Sequence, residues 1–234
     1  MNRIADVIVS VFFPHRCAYC GKVVANTLYI CKQCENNLPR ISGAVCNKCG
    51  REKDKCSCKK AKKYYNGIAA PFYFKGNVRK GIHNFKFRRC VSNAEAYGKE
   101  MCETVRDRFS GVCFDFITAV PISDKSRRER GYNQCEILAQ KLSENLGIEY
   151  RKGVIVKLCD TKKQHKISLM LRRGNLTGVF DVPNPSDVEN KTVLLCDDIS
   201  TTGETFNECA KMLWLNGAKA VYCISVALTS PREK

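Results

Sequence analysis

A cluster of cysteines near the N-terminus constrains the fold of this chain more than any other feature. Eight of the 16 cysteines fall between residues 17 and 58, in two successive sets of four. The first set is Cys17, Cys20, Cys31 and Cys34, and the second is Cys46, Cys49, Cys56 and Cys58. A CxxC turn brings two thiolates to one metal ion, and four thiolates make the tetrahedral site that zinc prefers. The pattern predicts a double zinc ribbon, with free or redox-active thiols as the alternative.

The second set ends in CxC rather than CxxC, so its spacing leaves open whether a second zinc site is complete. A segment this short and polar buries little apolar surface, and zinc binding of about 10–16 kcal/mol would supply the missing stability. The later cysteines stand singly among apolar or helical residues and are expected to pack as small hydrophobic side chains. This usage is typical of a reducing cytoplasm, where we expect the protein to reside.

The chain is strongly basic, with a formal net charge of +17. Zinc-bound thiolates in both sets would reduce this charge only to about +13. Residues 51–66 contain a run of lysines followed by Tyr64 and Tyr65. This segment is either a flexible basic linker or a contact for single-stranded DNA, in which the two tyrosines stack on bases.

An apolar stretch precedes the cysteines, with residues at helical spacing: Ile4, Val7, Ile8, Val11 and Phe12. We expect an amphipathic helix that docks on the protein, and peripheral association with a membrane surface is the alternative. No apolar run reaches the roughly 20 residues that a membrane span needs. The helix and the ribbons are expected to form one unit over residues 1–60, followed by a second unit over 67–234.

Beyond the ribbons, apolar strand-like runs alternate with helical patterns. Strands are predicted at 68–74, 114–120, 192–196 and 220–228, and helices around 81–87 and at 93–109, 134–147 and 205–217. The last two helices each end at a glycine, which is typical of a helix C-terminus. This alternation predicts an α/β fold with a parallel sheet and crossover helices. Ligands of such sheets bind beyond the carboxyl ends of the strands.

The stretch VLLCDDISTTGETF joins the predicted strand at 192–196 to the helix that follows it. Asp197 and Asp198 stand at the predicted strand end, directly before a turn rich in hydroxyl groups. A helix N-terminus favours an anion, while carboxylates accept hydrogen bonds from ribose hydroxyls and bind Mg2+. The combination fits a 5-phosphorylated ribose. Its phosphate would lie on Ser200, Thr201, Thr202, Gly203, Glu204 and Thr205.

This stretch resembles the phosphoribosyl pyrophosphate (PRPP) signature of the type I phosphoribosyltransferases. Segments at 119–139 and 164–180, together with the N-terminal ribbons, resemble the ComF family of competence-associated proteins. The CxC ending and Ile167, where the family pattern has leucine, are departures from that family. The resemblance covers essentially the whole chain. It implies a type I phosphoribosyltransferase fold preceded by a small zinc-ribbon module, in a protein of DNA uptake.

By the same resemblance, PRPP binds together with Mg2+, and Asp197 and Asp198 are the catalytic acids. The implied pyrophosphate loop and its cations are Pro121, Ile122, Ser123, Asp124, Lys125, Arg128 and Arg130. A mobile loop that covers PRPP is implied, with the candidates Gln164, Arg172, Arg173 and Asn175. A solvated surface position is the alternative for each of these arginines.

Three classes of function compete at this point. The first is an enzyme that transfers phosphoribosyl groups, a pentosyl glycosyltransferase whose acceptor the sequence does not identify. The second is a non-catalytic accessory protein that binds single-stranded DNA, works with the DNA-uptake machinery and uses the PRPP fold as a ligand sensor. The third is a zinc-ribbon adaptor with a vestigial pocket, which the intact acid pair and turn argue against.

Overall fold

The structure, a computed structural model, describes residues 14–56, 58, 62–158 and 179–230. The predicted N-terminal helix lies outside the described residues. The mobile-loop candidates Gln164, Arg172, Arg173 and Asn175 also lie outside them. Within the described ranges, no helix is long and apolar enough to cross a membrane.

Seven strands lie in the described part of the chain. They are β1 Gly67–Ala69, β2 Phe72–Tyr73, β3 Phe116–Ala119, β4 Val156–Lys157, β5 Phe180–Asp181, β6 Thr192–Ser200 and β7 Ala220–Leu228. The main sheet is parallel, with the order β1-β7-β6-β3, and β2 also pairs with β7. The strands β4 and β5 form a separate antiparallel pair. The predicted parallel α/β class is therefore confirmed.

Six α-helices accompany these strands in the described ranges. They are α1 Lys32–Asn37, α2 Gly76–Phe87, α3 Asn93–Arg108, α4 Asp124–Arg130, α5 Gln134–Leu146 and α6 Glu204–Leu215. Both ends of α5 are marked by capping residues that the sequence shows. The side chain of Asn133 accepts a hydrogen bond from the N–H of Cys135, and Gly147 ends the helix in a left-handed conformation. Both are standard helix-capping residues.

The strand that carries the acid pair is longer than predicted. It continues through Asp197 and Asp198 to Ser200, because pairing with β7 persists as far as the Ser200–Leu228 register. The acids therefore lie within the strand rather than after it. Partner pairing, which local polarity does not reveal, sets this end of the element.

Two further element boundaries differ from the prediction. The predicted strand at 68–74 is divided by Pro71 into β1 and β2, since proline has no N–H for a continuous ladder. The predicted pyrophosphate loop ends earlier, because Asp124 and Lys125 belong to α4. Ser123 is the N-cap of that helix, and its hydroxyl oxygen accepts a hydrogen bond from the N–H of Ser126 at 3.2 Å.

The sheet separates two apolar cores. One core contains Ile82 of α2 and Leu138 of α5, and the other contains Phe206 of α6. Alternate residues of β6 contribute to the two cores, with Leu194 in the first and Leu195 in the second. Period-two alternation within a fully buried strand is expected of a parallel sheet that is covered on both faces.

The first ribbon is part of the first core. Tyr19 is buried there, and the carbonyl of Ala18 accepts hydrogen bonds from Tyr97 Oη at 2.9 Å and Asn93 Nδ2 at 3.1 Å. Gly81 of α2 permits this approach, since a Cβ at that position would lie 2.3 Å from the Ala18 carbonyl oxygen. The ribbon is thus docked on α2 and α3 through its own backbone.

Candidate functional site

Both cysteine sets converge in space. In each set, the four sulfur atoms lie within 4.8 Å of one another. The sulfur–sulfur distances are 3.7 Å for Cys20–Cys31, 3.7 Å for Cys49–Cys56 and 4.0 Å for Cys46–Cys58. A tetrahedral zinc ion with Zn–S bonds of about 2.3 Å requires sulfur atoms about 3.8 Å apart. Both sets therefore fit zinc, and the CxC ending does not prevent the second set from closing.

Backbone donors favour the thiolate form of one cysteine in each cluster. Burial would raise the pKa of Cys17, but hydrogen bonds from the backbone of Cys20, Cys31 and Tyr19 lower this pKa to about 7. A hydrogen bond from the backbone of Cys58 is the main cause that lowers the pKa of Cys56 to about 7. The thiolate is the form that binds zinc, so these contacts favour metal binding near neutral pH.

The two acids of β6 have different surroundings. Asp198 is 3% exposed and forms an ion pair with Lys86, whose Nζ lies 2.8 Å from Asp198 Oδ2. Asp197 Oδ1 accepts hydrogen bonds from the N–H of Asp198 at 2.7 Å and from the thiol of Cys135 at 3.1 Å. Burial, assisted by the charge of Asp198, raises the pKa of Asp197 to about 7. The site therefore carries less negative charge than two free carboxylates would.

Lys86 and Cys135 are site residues that the sequence analysis missed. Lys86 lies in the last turn of α2, and Cys135 lies in the first turn of α5. In the sequence, Lys86 is only a lysine near the end of one helix and Cys135 a cysteine near the start of another. Neither feature by itself indicates a binding site. They reach the acid pair because both helices pack on the face of the sheet to which Cys196 contributes.

The turn after β6 has backbone groups and hydroxyls at the surface. Gly203 is the N-cap of α6 and has φ +76°, a left-handed conformation that favours glycine. Thr202 Oγ1 accepts a hydrogen bond from the N–H of Glu204 at 3.3 Å. Of the predicted phosphate-binding residues, Ser200 is buried, whereas Thr201, Thr202, Glu204 and Thr205 are exposed. This arrangement can present donors to an anion beside the acid pair.

The loop after β3 lies next to the strand that carries the acids. The N–H of Val120 donates to the carbonyl of Cys196 at 2.9 Å, so Pro121 follows at the same edge of the sheet as Asp197. Ile122 and Ser123 complete this short loop before α4 begins.

The candidate cations of the helix after this loop differ in their environments. Lys125 is exposed and lies 3.9 Å from the carboxylate of Glu129. Arg128 is exposed as well. The Arg130 guanidinium lies 5.3 Å from the centroid of the Phe87 ring, which belongs to α2. Of these three side chains, Arg130 is the one in contact with the helix that also carries Lys86.

The two tyrosines after the lysine run occupy different positions. Tyr65 is 6% exposed and donates to the carbonyl of Lys48 at 2.7 Å, so the prediction that it stacks on bases is wrong. Tyr64 packs on Trp214, with ring centroids 5.8 Å apart and an interplanar angle of 53°. Lys62 Nζ lies 5.0 Å from the centroid of the Tyr64 ring, and Trp214 is 52% exposed. An aromatic pair with an adjacent cation therefore lies at the surface.

Comparison with known proteins adds relatives over most of the chain. Residues 8–63 match the model of the double zinc ribbon domain. DNA utilization protein YhgH of Escherichia coli strain K12 is 28% identical over 208 residues, which cover 88% of this chain and 86% of that protein. Competence protein F of Haemophilus influenzae is 27% identical over 220 residues, which cover 90% and 95%. Competence protein ComFC of Bacillus subtilis is 25% identical over 203 residues, which cover 82% and 80%.

Solved phosphoribosyltransferase structures are also similar to this chain. An adenine phosphoribosyltransferase aligns with 62% of this chain and 73% of its own, at 14% identity and a TM-score of 0.37. The glutamine PRPP amidotransferase of Bacillus subtilis aligns with 57% of this chain at 24% identity and a TM-score of 0.38. The match covers 26% of the amidotransferase, so the chain spans about a quarter of that enzyme.

The predicted relationship to the ComF family is confirmed by these relatives, and the predicted double zinc ribbon by the match at residues 8–63. Over most of its length, this chain is a homologue of the competence proteins F and ComFC and of the YhgH DNA utilization proteins, with a double zinc ribbon at its N-terminal end.

Proposed function

We propose that this protein binds PRPP or a related phosphoribosyl ligand with Mg2+ and acts in DNA uptake; two of its relatives are named competence proteins. The observation that carries the proposal is the acid pair within β6, followed directly by the glycine-containing turn at the N-terminus of α6. The turn binds the 5-phosphate, and the acids bind the ribose. In this proposal the two units are the ribbon module at 1–60 and the ligand-binding domain at 67–234.

The charge of the acid pair supports a phosphate ligand. Lys86 neutralises Asp198, and the raised pKa of Asp197 leaves that carboxyl partly protonated near neutral pH. The repulsion between a phosphate and two adjacent carboxylates is therefore largely removed. Since Asp198 is already paired with Lys86, Asp197 is the acid left to accept hydrogen bonds from the ribose hydroxyls.

The reaction that fits this pocket is phosphoribosyl transfer. The bond between ribose C1 and the pyrophosphate oxygen breaks, pyrophosphate leaves with both electrons, and an acceptor nucleophile bonds to C1. Positive charge develops on the ribose as the leaving group departs. The Asp197 carboxylate stabilises that charge, while the loop at Pro121–Ser123 and Arg130 stabilise the pyrophosphate. Asp197 and Asp198 are the residues that would hold Mg2+, which would supply further positive charge for the pyrophosphate. Arg128 and Lys125, which are exposed, attract the leaving group from a longer range.

Calorimetric titration of the zinc-loaded protein with Mg2+ and PRPP tests the binding proposal. We expect a saturable heat signal from the wild type and none from the double variant Asp197→Asn with Asp198→Asn. Asp107→Asn, on the exposed side of α3, is the control and should bind as the wild type does. A wild type that gives no binding heat would refute the pocket. Release of pyrophosphate on addition of candidate acceptors separates an enzyme from a ligand sensor.

A second candidate function, binding of single-stranded DNA, is favoured by the Tyr64–Trp214 pair, in which Trp214 is exposed and Tyr64 is half-buried. Lys62 lies over both rings, 5.0 Å from the centroid of Tyr64 and 5.7 Å from that of Trp214. Aromatic faces that stack on bases, beside cations that contact phosphates, are typical of surfaces that bind single strands.

The contribution of Trp214 to DNA binding can be measured by fluorescence anisotropy with an unstructured oligonucleotide. Stacking on one base contributes about 1–3 kcal/mol, so Trp214→Ala should weaken binding about 5- to 150-fold. Leu215→Ala removes a neighbouring exposed apolar side chain and should leave the affinity unchanged. Equal losses in both variants would contradict a stacking role. Affinity should also fall steeply with salt.

A further inference from the structure

The second ribbon, which carries the cysteine set at 46–58, contacts the candidate phosphate turn, residues 200–205, through Arg51. Arg51 Nε donates to the carbonyl of Thr229 at 3.0 Å, and its Nη2 donates to the same carbonyl at 2.9 Å. Nη2 also donates to the carbonyl of Thr201 at 3.2 Å. Thr201 is the first residue after β6, and Thr229 is the first residue after β7. One guanidinium from the ribbon therefore joins the two strand ends that border the pocket.

These contacts fix the orientation of a peptide group in the turn. The carbonyl of Thr201 also accepts a hydrogen bond from Thr229 Oγ1 at 2.9 Å. A trans peptide is planar, so the Thr201 carbonyl and the Thr202 N–H point in opposite directions. With the carbonyl held towards Arg51, the N–H is directed away from the ribbon. The charged Arg51 donor on the carbonyl also polarises this peptide and makes its N–H a stronger donor.

Tyr65 provides a second support between the ribbon and the turn. Its hydroxyl donates to the carbonyl of Lys48, within the second ribbon, at 2.7 Å. The same hydroxyl oxygen would lie 3.2 Å from a Cβ at Gly203, so it is in close contact with the start of α6. The ribbon itself lies against the sheet, since a Cβ at Gly50 would lie 2.7 Å from Leu228 Cδ1.

We propose that Arg51 is a positioning residue for the sugar-phosphate pocket, and that the second zinc ribbon holds the phosphate turn in its binding conformation. The inference rests on the proposed function, because it assigns the phosphate to that turn. Arg51 acts through the carbonyls of Thr201 and Thr229 rather than by touching the ligand. Zinc at Cys46, Cys49, Cys56 and Cys58 keeps the ribbon folded, so zinc occupancy of this site controls affinity for the phosphate.

The test compares Arg51→Ala and Arg51→Lys with Lys53→Ala, an exposed neighbour in the same ribbon. Three properties are measured: affinity for PRPP with Mg2+, zinc content, and amide hydrogen exchange at Thr202–Glu204 without ligand. Lysine keeps the charge but cannot reproduce the two-pronged contact. We expect both Arg51 variants to keep their zinc, to exchange faster at the turn, and to bind PRPP about tenfold more weakly. Lys53→Ala should match the wild type in all three measurements.

The outcomes separate this inference from the proposed function. If Arg51→Lys retains wild-type affinity while Arg51→Ala loses it, Arg51 acts by charge and the positioning role is refuted. Unchanged exchange and affinity in Arg51→Ala, or loss of zinc from it, would also refute that role. If the wild type binds no PRPP but Arg51→Ala exchanges faster at the turn, the positioning contact is supported and the proposed ligand is wrong.

The zinc dependence is tested with Cys58→Ser, which alters an exposed cysteine of the second set. The variant should lose one zinc ion per chain and bind PRPP as weakly as Arg51→Ala. The combination of both substitutions should bind no more weakly than either alone, because residues that act through one contact are not additive. Full additivity would show that the ribbon and Arg51 act independently, contrary to the inference.

Discussion

At the scale of single residues, Lys86 and Cys135 control the charge of the acid pair. Lys86 neutralises Asp198, and the Cys135 thiol donates to the oxygen of Asp197 that also accepts the Asp198 N–H. Burial raises the pKa of Asp197 to about 7, well above the value of about 3.9 for an unfolded chain. Asp197 therefore binds more protons in the folded state than in the unfolded state between about pH 4 and pH 7.

This difference predicts how stability changes with pH. The contribution of Asp197 to the free energy of unfolding should decrease as pH rises from about 4 through 7, because the folded state penalises its charged form. Asparagine is neutral and can accept the same two hydrogen bonds. At pH 8, Asp197→Asn should melt about 4 °C or more above the wild type. The difference should shrink towards zero at pH 4, which thermal denaturation across that range measures.

Asp198→Asn is the matched control, and it should have the opposite effect. It leaves the Lys86 ammonium, only 18% exposed, without its carboxylate partner. Removing one member of a buried ion pair costs about 3–5 kcal/mol, so this variant should melt below the wild type at pH 8. A higher melting temperature for Asp198→Asn would contradict the assignment of the proton to Asp197 and of the negative charge to Asp198.

At the scale of elements, the first ribbon is docked on α2 through Gly81. A Cβ at this position would lie 2.3 Å from the carbonyl oxygen of Ala18, which is backbone and cannot rotate away. Gly81→Ala should therefore destabilise the protein by about 2–3 kcal/mol, as overpacking does in a filled core. Chemical denaturation measures this loss. Lys80→Ala, at an exposed position on α2, should change stability by less than about 0.5 kcal/mol, and an equal loss there would rule out the steric explanation.

Elements with local signals were predictable from the sequence. The β7 strand matches its predicted range of 220–228, and α5 matches because Asn133 and Gly147 define its ends. The CxxC spacing likewise predicts the ribbons from local sequence. The end of β6 was not predictable, because pairing with β7 extends the strand through polar residues. Lys86 and Arg51 could not be assigned for the same reason, since their partners lie far away in the sequence.

At the scale of the whole molecule, the two zinc sites differ in how deeply they are built into the fold. Cys17 is 2% exposed within the first core, whereas Cys58 is exposed. Because zinc binding provides much of a ribbon's stability, loss of a core ligand should affect the entire sheet. Cys17→Ser should fail to fold or melt at least about 10 °C lower, while Cys58→Ser should lose one zinc ion with a shift of under about 5 °C.

Zinc content by elemental analysis, together with thermal denaturation, checks this order. The wild type should contain two zinc ions per chain. Equal melting temperatures for the two serine variants would contradict the difference in depth, and a wild type with one zinc ion would refute the second site.

The pairing of β1 with β7 has a consequence for how the chain is made. Gly67 pairs with Tyr222, so β1, which is made first, cannot pair until β7 has been synthesised. At roughly 5–20 residues per second, about 8–30 s separate their synthesis. During that interval both ribbons can already bind zinc, and the first can dock on α2 and α3, while Leu228 and Thr229, which the second ribbon contacts, have not yet been made. The second ribbon must therefore keep its zinc-bound form without its docking surface until the last strand is made.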